Sequence, residues 1–274
     1  MSSLIWKGYL LHAEPSFTLV QSPFTHRGER VFGADSDATT LAVAAVQHRI
    51  SEQSITMVTV PEGIDTQTLI SSTSITVADE STFDNCEWDL LLSDEATVVL
   101  MQRGTEVALP QFDVDIPVNS KFYAAIEGAW VEEMQITNVS QGAYVSVAQY
   151  EEAAASRLGL VGQKVPGGMT WPPRQMDGEE RANAEDTPLV HIGSVQSWTR
   201  LSAAGAPSEF SIRAPLLGGI STVLLRLKDG PSGVFLVVDD EEPVLSMELE
   251  MELVVRRIYA QEGIIRYGLK ARAI

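Results

Sequence analysis

The sequence predicts an α+β, multi-domain chain: an N-terminal α/β region, a Gly/Pro-punctuated linker, and a small C-terminal β-barrel. Three observations predict this. An Ala-rich helical stretch is followed by short apolar runs before residue 150. A stretch without periodicity, rich in Gly and Pro, follows it. Beyond that lie about five strand-like segments, one of them with clean two-residue alternation. The boundaries fall at 1–150, 151–188 and 189–274. At 274 residues and 45% hydrophobic, the chain is long enough to bury a core in each part.

In the first region Asp35-Ser36-Asp37 precedes Ala38-Thr39-Thr40-Leu41-Ala42-Val43-Ala44-Ala45-Val46. Asp or Ser caps such a helix, and His48 and Arg49 suit the negative end of its dipole. Ile55–Val60 is β-branched and stops at Pro61, which reads as a strand. Ala96–Met101 is continuously apolar, the pattern of a strand covered on both faces. A helix is expected from Gln149 to Leu158, ended by Gly159.

The linker carries Pro166-Gly167-Gly168, Pro172-Pro173 and a polar run from Asp177 to Asp186. In the third region Ile220–Leu227 and Val234–Val238 form a hairpin across Lys228–Gly233. Met247, Leu249, Met251, Leu253 and Val255 alternate with Glu248, Glu250, Glu252, Val254 and Arg256, which reads as a strand with one apolar face. Ala260–Gly263 turns it into Ile264–Leu269. Short strands of this kind, each with one core face, suit a closed or part-closed barrel.

Charge limits the function. Lys+Arg is 19 against Asp+Glu 37, a formal net charge of −18. That works against nucleic acid and against anionic membrane surfaces. No apolar run approaches a membrane span, and Met1–Lys7 lacks the basic-then-apolar pattern of a signal peptide, so the expected compartment is the cytoplasm. The charge is uneven: 1–150 holds 6 basic and 20 acidic residues, whereas Arg256, Arg257, Arg266, Lys270 and Arg272 crowd the last strands. Two readings of that basic strip stand: a receiver for a phosphate-bearing ligand or acidic partner, and a solvated strand face.

Chemistry-bearing residues are sparse. Cys86, the single cysteine, sits among acids in Asp84-Asn85-Cys86-Glu87, a setting that disfavours a thiolate. His12, His26, His48 and His191 are scattered without metal-ligand or Cys-His spacing. No catalytic residue is assigned. Asp239-Asp240-Glu241-Glu242 lacks the spacing and glycine of a calcium loop and reads as a solvated hairpin loop. Trp171-Pro172-Pro173-Arg174 offers a ring, a stiff backbone and a guanidinium, suited either to a ligand channel or interface or to a linker packed on the barrel.

The final hairpin, Val254–Arg272, resembles the closing hairpin of the acyl-CoA-associated OB-fold proteins that accompany thiolases and hydroxymethylglutaryl-CoA synthase-like enzymes. Gly193–Thr199 resembles that family's first barrel strand, and Ala214-Pro215 its segment before the next. Gly162–Arg174 resembles the rubredoxin-like zinc ribbon that precedes the barrel in those proteins, but the cysteines are gone; Val165 stands where the first ligand would be. Zn²⁺ needs about four N/S ligands, so no metal is expected. His26–Ala45 and Trp88–Leu100 resemble the first helix region and a later strand of thiolase-fold proteins, with the nucleophile segment between them much too short. The resemblance implies a truncated thiolase-like α/β fragment joined to a degenerate ribbon and an OB barrel. It implies a non-catalytic accessory subunit on a thiolase-fold enzyme, with no resident cofactor and acyl-CoA as the candidate ligand. The residues expected to meet that ligand are Trp171, Arg174, Arg256, Arg257, Arg266 and Tyr267. A stand-alone acyl-CoA-binding protein and a minimal acyltransferase using Cys86 are the alternatives.

Overall fold

The computed structural model describes residues 4–107, 110–135, 137, 151–174, 178, 182–261 and 263–274. They divide into two units, Met1–Ala124 and Ala125–Ile274. Of the expected elements, Gln149, Tyr150, Asp177, Glu179–Arg181 and Glu262 lie outside the described residues.

The first unit is built on an antiparallel sheet. Strands β1 (Leu4–Trp6), β2 (Tyr9–Glu14) and β3 (Phe17–Gln21) form successive hairpins. Strands β4 (Phe24–His26) and β5 (Glu29–Arg30) pair apart from them. Helix α1 (Ala38–Glu52) follows. Then come β6 (Met57–Val58), α2 (Thr66–Thr73), β7 (Thr76–Val77), β8 (Trp88–Ser93) and β9 (Thr97–Gln102). The main sheet runs β1-β2-β3-β9-β8. This corrects the expected α/β layer: two-residue β6 and β7 pair in parallel, but every ladder of the main sheet is antiparallel. Short turns such as Pro15-Ser16 return the chain at once, and a parallel ladder would need a long crossover.

The helix starts as the sequence indicates. The Asp37 carboxylate accepts from Thr40 N at 3.0 Å, and Thr40 Oγ1 accepts from Asp37 N at 3.0 Å, a closed capping box. One sheet face packs on α1. On the other, Phe17, Leu19 and Val99 are buried beneath Met101, Val107 and Phe112, so β9 is covered on both faces as its unbroken apolar run predicts. Strand β10 (Ile116–Pro117) pairs in parallel with β4.

The second unit begins within helix α3 (Ser120–Glu133). A helical turn at Ala154–Leu158 ends at Gly159, as expected. Strands β11 (Val161–Val165), β12 (Gly168–Thr170) and β13 (Glu185–Pro188) form a small antiparallel sheet in the order β12-β11-β13. The linker therefore carries a packed ribbon where the sequence offered no periodicity.

The barrel comprises β14 (Ile192–Leu201), β15 (Ile220–Leu227), β16 (Ser232–Val237), β17 (Glu250–Gln261) and β18 (Ile264–Ala273). It closes in the order β14-β15-β16-β18-β17. The third and fifth strands pair in parallel at Leu236↔Lys270 and Val237↔Ala271, and the fourth returns to the first at Ile192–Ser194. That is the strand order of an OB fold. Its core holds Val195, Val223, Leu225, Met251, Leu253 and Ala271, the apolar sets read from the strand alternation.

Candidate functional site

The basic strip is the first place to look for a ligand, and the fold has turned it inward. Arg256, Arg257, Arg266 and Tyr267 are only 3%, 7%, 4% and 5% exposed, and Lys270 is 1% exposed. The strip is therefore not a solvated strand face, because both faces of the β17–β18 hairpin are covered. A buried cation must be paired or it costs several kcal/mol. The chain supplies the partners. Lys270 Nζ lies 2.9 Å from Asp239 Oδ1, and Arg213, fully buried, reaches Asp239 Oδ2 at 3.3 Å. Arg213 Nε donates to Glu133 Oε1 at 2.7 Å, and its Nη2 donates to the Ile258 carbonyl at 2.5 Å. Arg272 bridges Glu241 at 2.7 Å and Glu252 at 3.0 Å.

The acidic run 239–242 is thus no simple solvated loop. Asp239 pairs with the buried Lys270 and Arg213 and Glu241 with the half-buried Arg272, while Glu242 meets the exposed Arg200 at 3.3 Å. On α3, Trp130 lies under two guanidiniums, with Arg213 Cζ 3.8 Å and Arg257 Cζ 4.3 Å from the ring centroid. Burial pushes the Glu133 carboxyl above its ordinary range, and Arg213 and the Ala260 amide only partly offset this.

Trp171 and Arg174 are placed apart from that cluster. Trp171 stacks on Phe235 with centroids 5.4 Å apart, and its Nε1 donates to the Ser156 carbonyl at 2.9 Å. Its ring fills the space over Gly233, where a Cβ would come within 2.5 Å of Trp171 Cζ3. The packed-linker reading describes this tryptophan. Arg174 is exposed, and its backbone N–H donates to Gln163 at 2.9 Å.

An open site that sequence reasoning missed lies at the barrel's mouth. A groove of about 250 Å³ is lined by Trp198 and Arg200 of β14, Val237 and Val238, and the loop residues Glu242 and Leu245. It holds apolar surface and charge, with Ser221 its only hydroxyl side chain and no His or Cys. The missed signal was Trp198 and Arg200 two apart on one strand, which places both on one face. A second, apolar pocket of about 320 Å³ in the first unit is lined by Leu91, Leu92, Ser93, Val99, Met101 and Val107.

The Cys86 thiol is buried, and its Sγ donates to the Trp88 carbonyl at 3.2 Å. His12 meets Glu14 and Phe17, His26 meets Ser120 and Tyr123, and His48 packs on Trp6. Among the described residues no three of His, Cys, Asp and Glu gather as metal ligands. No described helix is long and apolar enough to cross a membrane.

No family model matches the chain, and no curated protein does. A solved structure described as "Ltp2-ChsH2(DUF35) aldolase" is similar over 47% of this chain and 97% of its own, at 16% identity and a TM-score of 0.33. The thiolase-like reading of the N-terminal region finds no support in these comparisons. The barrel assignment stands on its own strand order.

Proposed function

We propose that the chain is a non-catalytic accessory subunit that docks on a thiolase or hydroxymethylglutaryl-CoA synthase-like enzyme and helps to form or gate that enzyme's acyl-CoA site. The observation that carries this reading is the closed barrel in OB order, built from the segments that resemble the acyl-CoA-associated family: Gly193–Thr199 in β14 and Val254–Arg272 across β17 and β18. A buried, hydrogen-bonded Cys86 supports this reading over an acyltransferase that uses that thiol. In this reading Arg256, Arg257, Arg266 and Tyr267 shape the closing hairpin from within, and Trp171 holds the ribbon on the barrel. The exposed Arg174 remains free to meet a ligand or a partner. The N-terminal unit adds interface surface.

The test is a tagged pull-down from the native host, sized by light scattering, with partners identified by mass spectrometry. A thiolase-fold subunit recovered in fixed ratio is the expected result. A chain that emerges alone and monomeric overturns the reading, and tight acyl-CoA binding by that isolated chain would put a stand-alone carrier in its place.

A further inference from the structure

We propose that the free edge of β14 takes an extended segment of a partner protein as an added strand. One apolar side chain of that segment would enter the mouth groove, and a basic residue would face Glu242. This deepens the accessory reading by naming where the partner docks.

The argument begins with backbone hydrogen bonds. Strand β14 pairs with β15 along Gly193–Leu201, but with β17 only along Ile192–Ser194. One more step continues that second ladder, because Val195 N donates to the Leu249 carbonyl at 3.0 Å and the Val195 carbonyl accepts from Glu248 N at 2.9 Å. Beyond the bulge at Val195/Ser197 the edge is open. Leu201 turns its carbonyl toward β15, where a Cβ on Gly219 would lie 2.4 Å from it. Backbone groups alternate sides along an antiparallel strand, so Trp198 and Arg200 present N–H and C=O to the open edge. Among the described residues no backbone hydrogen bond takes these four groups.

An exposed edge of this kind is a template for another strand, and proteins usually guard it with Pro, Lys or a covering loop. This one carries Trp198 at 45% exposure and lies beside the groove, with Val244 (90%) and Met247 (59%) exposed on the β16–β17 loop. Trp and Arg over an apolar floor are typical anchors of protein recognition. Backbone donors and acceptors in alternation are satisfied by another backbone, the logic of strand addition.

Charge selects among proteins. Asp239 and Glu241 in the groove lining are already engaged by Lys270, Arg213 and Arg272, so Glu242, 83% exposed beside Arg200, is the carboxylate the rim offers, and the whole chain carries −18. A second copy would bring like charge to like, whereas a basic segment meets an acidic rim.

The probe is a phage-displayed random-peptide library panned on the full chain, with enriched peptides synthesised and titrated by fluorescence anisotropy. The expected peptides alternate β-branched or apolar residues and carry Lys or Arg. Arg200→Pro removes one outward donor while sparing the β15 ladder, so it should weaken binding about tenfold beyond Arg200→Ala. Binding should also protect the Trp198 and Arg200 amides of the unsubstituted chain from hydrogen exchange, a readout that needs no variant to fold. The proposal is overturned if no peptide binds, or if peptides bind Arg200→Pro and Arg200→Ala equally without amide protection. It is also overturned if the chain forms a dimer that Arg200→Pro dissociates, or if an acyl-CoA binds the groove in a manner lost with Trp198→Ala. An enzyme that copurifies equally with Arg200→Pro sinks this docking surface and leaves the accessory reading intact. Peptide binding with amide protection but no copurifying enzyme sinks the accessory reading and leaves the strand site intact.

Discussion

Arg49 shows how far a single side chain can depart from its apparent role. By sequence it is a cation at the end of α1, suited to the helix dipole. In the fold it is 2% exposed. Its guanidinium donates to the Glu14 carbonyl at 2.6 Å, the Pro15 carbonyl at 3.3 Å, Thr18 Oγ1 and the Phe17 carbonyl. It also lies 5.1 Å from the Trp88 ring. One side chain therefore ties the β2–β3 turn to α1 through its main-chain carbonyls. Arg49→Met keeps the stem but strands those acceptors, and should cost roughly 2–4 kcal/mol in the denaturant midpoint. A loss below about 0.5 kcal/mol, the range of ordinary surface substitutions, would mean that water replaces the clamp. The neighbouring His48 is also buried. Burial holds its imidazole below the ordinary range, with Arg49 adding to the effect and Glu52 opposing it. Spacing showed which residues sit on α1 but not that both end-turn cations face the sheet, because the hairpin that covers them was not evident from its short strands.

At the scale of elements, Trp130 carries the α3–barrel contact through its two guanidinium neighbours. Trp130→Ala removes a buried ring and uncovers Arg213 and Arg257 together, so a loss of roughly 3–5 kcal/mol is expected. Trp130→Phe keeps an aromatic face and should lose less, and equal losses for the two would show that a generic ring does not sustain the contact and that the indole itself is required. The clip joining β6 to β8 is electrostatic. Asp89 accepts from Thr59 Oγ1 at 2.6 Å and from Arg103 at 2.8 and 3.2 Å, and the Arg103 bonds chiefly hold its carboxyl below the ordinary range. A depressed carboxyl stabilises the fold above its unfolded pKa of about 4, and that contribution is lost as pH falls through the lowered value. Asp89→Asn should therefore melt below the unsubstituted protein at pH 7, and the two melting temperatures should converge as pH falls through that lowered value. A gap that stays constant with pH would assign the clip to shape instead of charge. These elements also mark what the sequence made legible. The barrel strands were readable from their apolar runs and turns, and β15 falls at Ile220–Leu227 as read, but β17 starts at Glu250 rather than Met247 and buries Val254 and Arg256 on the face read as solvated. The hairpins of β1–β3 and the ribbon strands were not, since runs of three to six residues carry too little periodicity. The site was legible only in part, because the basic residues of β17 and β18 were evident but their counter-ions lie far off along the chain.

At the scale of the whole molecule, burial changes what the formal charge means. Arg49, Arg213, Arg256, Arg257, Arg266 and Lys270, six of the 19 basic residues, are buried, whereas among the described residues the buried acids are Asp35 and Glu133. Cations are thus withdrawn from the surface more than anions, so carboxylates dominate the groups a partner meets, while the net charge of −18 sets the long-range field. A partner should then be steered in by long-range attraction to a basic surface. Screening tests this directly, because the Debye length falls from about 14 Å at 0.05 M salt to about 4 Å at 0.5 M. Association of the full chain with its copurified partner, followed by stopped-flow fluorescence, should slow about tenfold or more over that range while dissociation changes little. The same titration on Glu242→Gln should show a shallower salt dependence if the acidic rim of the groove guides the encounter. An association rate indifferent to salt would mean that apolar contact alone brings the partner in, and that the surplus of surface carboxylates serves solubility rather than recognition.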